Sequence, residues 1–290
     1  MWTGALTALV TPFRAGEIDH RALADLVERQ IAAGINGLVP CGSTGEAATL
    51  THDEHLEIVR AVVKTTRGRV PVIAGTGSNS TAEAIRLTRG AEDAGADGAL
   101  LISPYYNRPT QEGIFRHYAA VAEASKLPLI LYNIPGRTSS HMTVETVARL
   151  SRLKHVVGIK EASGSLVHAL EIIAASDPDF GVWAGDDILT VPIMAVGGRG
   201  VISVTANVVP QEMVELTDAC LAGDYARGRA VMHRLLPLVR ATTLEVNPIP
   251  VKTALAMMKV CAEEFRLPLT CATEATRTQL QQLLREYELV

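Results

Sequence analysis

The sequence predicts an α/β fold: a (β/α)8 barrel followed by a C-terminal helical extension. Short apolar runs recur at intervals of roughly 20 to 30 residues, and each precedes an amphipathic stretch of helix length. Eight such runs occur, at residues 5–10, 37–40, 70–74, 99–103, 129–132, 156–159, 181–184 and 201–204. They are apolar throughout rather than alternating, as strands covered on both faces should be. Strict strand–helix alternation implies a parallel sheet, and eight strands are the number that closes into a barrel.

Helical stretches lie at residues 21–33, 53–65, 81–94, 111–125, 144–150 and 166–175. Thr51, Ser80, Thr110, Thr143 and Ser165 each stand where a hydroxyl can cap the first free amide groups. Gly34, Gly68 and Gly95 follow helices, where a left-handed residue ends the turn. The eighth strand ends near Asn207, leaving about 80 residues whose pattern is helical at 211–221, 225–236, 252–260 and 272–287. One of these helices should close the barrel and the rest form an appendage. Residues 1–224 therefore make the barrel and 225–290 the extension, within one structural unit. A doubly wound open sheet would carry a glycine-rich turn after its first strand, but here Thr11-Pro12-Phe13 follows.

Composition excludes several function classes. Hydrophobic residues make up 48% and charged residues 20%, which suits a large core and buried subunit surfaces. The net charge of −4 provides no bulk attraction for nucleic acid or an anionic membrane. No apolar run approaches the roughly 20 residues that span a bilayer. The start, Met1-Trp2-Thr3-Gly4, does not read as a signal peptide, and Cys41, Cys220, Cys261 and Cys271 are too scattered for a disulfide frame. Reduced thiols and a cytoplasmic location are expected.

Barrel enzymes place their chemistry at the C-terminal strand ends. There the sequence sets a ring of hydroxyls and carboxamides, among them Ser43, Thr44, Thr76, Asn107, Tyr132 and Asn207, around one lysine, Lys160. Lys160 follows the buried run Val156-Val157-Gly158-Ile159. Desolvation lowers a lysine pKa, and a neutral amine can attack a ketone to form an imine that withdraws electrons. Such a lysine can also snorkel to solvent, and Tyr132 can be a packing residue of the barrel mouth. Together, however, they supply a nucleophile and the proton relay that imine formation needs. The Gly42-Ser43-Thr44-Gly45 turn offers amides and hydroxyls to a carboxylate, and otherwise is a plain strand–helix turn. By position alone Arg137 is either a solvated loop residue or a clamp for a second carboxylate. His52-Asp53-Glu54-His55 lacks the spacing of a zinc helix and a third ligand, so no metal is expected. Gly197-Gly198-Arg199-Gly200 precedes the last strand, on the face opposite the site, and is not read as a phosphate loop.

Taken in order, Gly42-Ser43-Thr44-Gly45-Glu46, Pro104-Tyr105-Tyr106-Asn107-Arg108-Pro109, Tyr132-Asn133-Ile134-Pro135-Gly136-Arg137-Thr138, Gly158-Ile159-Lys160-Glu161-Ala162 and Asn247-Pro248-Ile249-Pro250-Val251-Lys252 resemble the 4-hydroxy-tetrahydrodipicolinate (dihydrodipicolinate) synthase family. That family sits within the pyruvate-dependent class I aldolase and N-acetylneuraminate lyase superfamily. The resemblance runs from Thr3-Gly4 to about Leu269. It implies condensation of pyruvate with L-aspartate 4-semialdehyde in lysine and diaminopimelate biosynthesis, without metal or organic cofactor, by a homotetramer built as a dimer of dimers. By the same resemblance Lys160 forms the imine, and Tyr132 shuttles protons through Thr44 to a Tyr106 that reaches in from a neighbouring subunit. Ser43 and Thr44 hold the pyruvate carboxylate and Arg137 that of the semialdehyde, while Gly185 and Ile202 complete the substrate site. Ser43 stands where threonine is common. Lysine-inhibited members use positions matching Ala48, His52, His55, Asn79, Glu83 and Tyr105, although Ala47 replaces a serine common among them.

Two rivals share the fold and the lysine chemistry: N-acetylneuraminate lyase and the 2-keto-3-deoxy sugar-acid aldolases. Their tyrosine motif usually continues without Arg137, so the arginine favours a short carboxylated aldehyde. A non-catalytic keto-acid sensor on the same barrel is the alternative of another class.

Overall fold

The computed structural model describes residues 2–290. Strand β1 (Gly4–Ala8) leads into a small antiparallel hairpin, β2 (Phe13–Arg14) and β3 (Glu17–Ile18). Then follow α1 (His20–Ala32), β4 (Gly37–Val39), α2 (His52–Thr66), β5 (Ile73–Gly75), α3 (Thr81–Asp93), β6 (Gly98–Ile102) and α4 (Gln111–Ala124). Strand β7 (Leu129–Asn133) precedes the one-turn α5 (Pro135–Thr138) and α6 (Val144–Leu150). Next come β8 (Val156–Glu161), α7 (Leu166–Ala175), β9 (Gly181–Ala184), α8 (Thr190–Ala195), β10 (Gly200–Ser203) and α9 (Pro210–Leu221). Helices α10 (Tyr225–Ala241), α11 (Ile249–Met257) and α12 (Glu274–Glu286) follow.

Eight strands pair in parallel in the order β4-β1-β10-β9-β8-β7-β6-β5. The seam between β5 and β4 is bridged by pairing of Leu38 with Val72 and by bonds from Leu38 N to Pro71 O and Gly75 N to Pro40 O, both 2.9 Å. The architecture is the eight-stranded barrel that the apolar runs predict. All five predicted hydroxyl caps accept a hydrogen bond from the third helical residue, and Thr51 with Glu54 forms a reciprocal capping box.

The core has two layers. Inside the barrel, Leu6, Val39, Ile73, Ile130, Trp183 and Ile202 pack together, with Tyr132 at the edge of the cluster nearest the site. A larger apolar layer lies between the strands and the surrounding helices. Trp183 is fully buried, and only a glycine at position 158 admits it: a Cβ there would sit 2.4 Å from the indole ring. At Gly200, with φ +150°, a Cβ would fall 1.9 Å from Gly4 O, so the β1–β10 pairing requires glycine.

Some elements differ from the prediction. The third strand begins at Ile73 rather than residue 70, because Pro71 has no amide to donate and Val72 N bonds the Asp97 carboxylate at 2.8 Å. Lys160 and Glu161 lie within β8 rather than beyond it. The β2–β3 hairpin and the six-residue α8 were not expected, being too short to show a period. The extension packs α10 against α9 and α8, and α12 against α10 and α11. The end of α10 and the turn after it thereby reach the C-terminal rim of the barrel, where Val239, Arg240, Thr242, Val246 and Asn247 wall a cavity.

Candidate active site

That cavity, of about 460 Å³, opens at the C-terminal ends of the strands. Lys160, Tyr132, Ser43, Thr44, Arg137 and Gly185 all contribute to its wall. Parallel registration sets Tyr132 on β7 beside Lys160 on β8, and Lys160 beside Trp183 on β9. Lys160 is 4% exposed, and its ammonium lies 4.6 Å from the centroid of the Tyr132 ring. Among the described residues it has no carboxylate in ion-pair contact. Burial therefore pushes its pKa down to about 8; the Asp187 and Asp186 carboxylates oppose the shift and the Arg137 guanidinium adds to it. A pKa near 8 leaves an appreciable neutral fraction at physiological pH, so this amine can act as a nucleophile toward a carbonyl. Burial pushes the Tyr132 phenol up, with Arg137 lowering and Asp186 raising it, so the ring stays protonated and can donate.

The two aspartates after β9 differ. Asp187 is buried; its Oδ2 accepts from Thr205 Oγ1 at 2.8 Å, Thr205 N at 2.9 Å and Val204 N at 3.1 Å, tying β9 to the end of β10. Asp186 is partly exposed in the cavity wall, and burial pushes its carboxyl up against the opposing pull of Lys160.

The turn after β4 is held from both sides. Thr11 Oγ1 donates to Gly45 O at 2.7 Å, and Glu46 takes a left-handed conformation at φ +55°. Lys252 Nζ meets Glu46 Oε1 at 2.7 Å with both side chains fully buried, while Arg266 N donates to Glu46 Oε2 at 3.1 Å. Phe13 and Phe265 place their rings 4.2 Å and 5.1 Å from the Lys252 ammonium. Above this anchor, Asn247 Nδ2 donates to Thr44 Oγ1 at 3.0 Å, and Arg137 Nη2 donates to Asn247 O at 3.0 Å.

The remaining predicted residues fall elsewhere. Tyr106, at φ +71°, is 89% exposed, and Thr44 has Asn247 rather than a tyrosine as its partner within the chain. Ile202 is fully buried in the barrel interior and is not part of the cavity wall. A second cavity of about 530 Å³ shares Ser43, Tyr132, Arg137 and Asn247 with the first. Ala48, His52, His55, Glu83 and Tyr105 line it; Asn79 does not, although its carbonyl accepts from Asn107 Nδ2 at 2.9 Å. His52 Nε2 lies 2.6 Å from Glu83 Oε1 and His55 Nε2 2.7 Å from Gly75 O, with burial pushing the His55 pKa down. Among the described residues no three histidine, cysteine or acidic side chains group as a metal site. Sequence reasoning assigned no role to Asn247 or Lys252, although both stand in a quoted motif. The signal was the motif itself; the contacts to Thr44 and Glu46 span more than 200 residues and carry no local pattern.

Comparison with known proteins gives a consistent answer. The model of the Dihydrodipicolinate synthetase family matches residues 1–287. The 4-hydroxy-tetrahydrodipicolinate synthase of Syntrophus aciditrophicus is 52% identical over 290 residues, all of both chains. The crystal structure of dihydrodipicolinate synthase from Aquifex aeolicus superposes with a TM-score of 0.98 at 44% identity, covering 99% of each chain. A chloride-inhibited dihydrodipicolinate synthase from Acinetobacter baumannii, crystallised in complex with pyruvate, gives 0.98 at 42% identity over both whole chains. Sequence and backbone agree along their whole length with one group of enzymes, and this chain belongs to the dihydrodipicolinate synthetase family.

Proposed function

We propose that this chain is a Schiff-base-forming lyase that condenses pyruvate with L-aspartate 4-semialdehyde to 4-hydroxy-tetrahydrodipicolinate, in lysine and diaminopimelate biosynthesis. The observation that carries the reading is an amine buried without an anionic contact partner, its pKa near 8, in the wall of a cavity that also presents a phenol, two hydroxyls and an arginine. Full-length relatives that bear this activity in their names support the same assignment.

In this reading the neutral Lys160 amine attacks the ketone carbon of pyruvate. Tyr132 returns a proton to the departing hydroxyl, so water leaves and a protonated imine forms. The imine withdraws electrons from the adjacent methyl carbon, which loses a proton and adds, as the enamine, to the aldehyde carbon. The amino group of the bound semialdehyde then displaces the Lys160 nitrogen, closing the ring and freeing the lysine. Ser43 and Thr44 hold the keto-acid carboxylate and Arg137 that of the aldehyde. Gly185 offers its backbone to the substrate from the cavity wall, while Ile202 packs in the barrel interior beneath. The barrel over 1–224 supplies the chemistry and residues 225–290 roof the site.

Tyr106, extended into solvent on a left-handed backbone, suits a side chain donated to the site of a neighbouring copy, and a homotetramer built as a dimer of dimers is part of the proposal. Light scattering on the purified chain measures that assembly. The second cavity suits lysine as a regulator: Glu83 offers a carboxylate for an ammonium, and turnover that stays unchanged in millimolar lysine rejects the idea. A panel assay tests the main claim. With pyruvate and aspartate semialdehyde the chain should turn over rapidly, and cleavage of N-acetylneuraminate or keto-deoxy sugar acids should be slow. Faster cleavage of a sugar acid overturns the substrate assignment, and binding of keto acids without turnover would make the chain a sensor.

A further inference from the structure

We infer that a β-bulge in β8 aims Lys160 into the barrel, and that Asn133 and Glu161 are positioning residues that lock the register beyond it. The inference deepens the function proposed above and rests on it. Strands β7 and β8 do not pair in one constant register. Leu129 pairs with Val156, but Ile130 pairs with Gly158, so Val157 is an extra residue without a partner on β7.

The packing on either side shows what the extra residue does. Before it, Val156 lies in the outer apolar layer with Leu129. Val157 packs against the interior cluster, and Gly158 also faces inward, where a Cβ would sit 2.4 Å from the Trp183 ring. Two successive inward residues reverse the alternation. Ile159 therefore lies outside with Leu131, and Lys160 lies inside beside Tyr132. A flush register carried on from Leu129 and Val156 would set Tyr132 beside Ile159. Lys160 would then face the helices, because a slip of one residue exchanges the two faces of a strand.

One contact exists only in the bulged register. Asn133 and Glu161 are the last residues of β7 and β8, they pair with each other, and both are buried. Asn133 Nδ2 donates to Glu161 Oε2 at 2.8 Å. The other atoms of the clamp are also fixed: Asn133 Oδ1 accepts from Met142 N at 3.1 Å, and Glu161 Oε1 from Ser163 N at 2.7 Å. Among the described residues no lysine or arginine forms an ion pair with Glu161. His168 Nε2 lies 3.8 Å from its carboxylate, and the His141 ring lies 4.5 Å from that of His168. A buried carboxylate without a close counter-ion is costly to folding, and fixing register is the best-attested use of a buried polar group kept at such a cost.

The test is a polarity swap on the full chain, read by borohydride trapping of the pyruvate imine across pH. Glu161→Gln sets an amide against the Asn133 amide and breaks the bond. Adding Asn133→Asp restores it in reverse, the new amide donating to the new carboxylate while Ser163 N and Met142 N keep their acceptors. Glu161→Gln should slow imine formation at neutral pH by about 10²-fold, the cost of a misplaced reacting group. It should also move the pH midpoint up from about 8, as water reaches Lys160. Loss of the negative charge alone would move the midpoint down, so the sign separates position from charge. The double variant should recover the native midpoint and the native rate within about threefold. A folded Glu161→Gln chain with the native trapping rate or a lowered midpoint overturns the inference, and so does a double variant that recovers neither. Should Glu161→Gln fail to fold, the double variant decides alone: native trapping upholds the clamp and its loss overturns it. A native chain that traps no pyruvate overturns the proposed function instead.

Discussion

Two lysines are buried in this protein, and they have opposite surroundings. Lys160 is 4% exposed in the cavity wall, with an aromatic face 4.6 Å away and no carboxylate in contact. Lys252 is fully buried, yet it meets Glu46 at 2.7 Å and lies against two phenylalanine rings. Burial lowers the pKa of both, but at Lys252 the Glu46 carboxylate pushes back through charge and a direct hydrogen bond. At Lys160 the opposing aspartates act from further away, and the value settles at about 8. Burial alone does not make a nucleophile. A buried amine without a contact counter-ion spends time neutral and can react; a buried amine with one is a strut.

The largest effect should come from removing the unpaired member. Lys160→Ala should lower kcat by more than about 10⁴-fold, as loss of a covalent nucleophile does elsewhere. The same variant should melt no lower than the native chain, since it removes a desolvated charge. Next in size, Tyr132→Phe should cost about 10²–10⁴-fold in kcat, the range of a lost proton relay.

Breaking the paired member should act on stability instead. Lys252→Met leaves the Glu46 carboxylate buried and uncompensated, and should cost about 3–5 kcal/mol in urea titration. Adding Glu46→Gln should restore part of that loss. If Lys252→Met unfolds at the native urea concentration, the pair is not a strut.

The smallest effect is a pH dependence, and its sign follows from the lowered pKa. Only the neutral Lys160 amine attacks, so kcat/KM for pyruvate should rise with pH and level off near 8. For stability, the folded pKa of about 8 lies below the unfolded value of about 10.4. The cost of holding Lys160 protonated is therefore present in full below about 8 and fades as pH rises toward about 10.4. In Lys160→Ala this part of the stability profile should be flat.

The contrast between the lysines also explains what could be read from the sequence. Lys160 was legible because it ends an uninterrupted apolar run, and because Tyr132 ends another: strand period and barrel topology carry both to the same rim. The helix caps were legible for a similar reason, each depending on residues three apart. Lys252 was not, because its partner lies 206 positions away and its own helix is apolar nearly all round. Asn247 escaped in the same way, its bond to Thr44 being visible only once the extension folds back over the barrel mouth. Ile202 was placed in the substrate site by resemblance, whereas strand alternation directs it into the barrel interior.

The most direct test is reduction with borohydride in the presence of pyruvate, followed by peptide mapping. The mass increment of a reduced pyruvyl adduct should appear on the peptide holding Lys160 and be absent from the one holding Lys252. An unmodified Lys160, or modification of both lysines alike, would contradict the claim that an unpaired buried amine performs the chemistry.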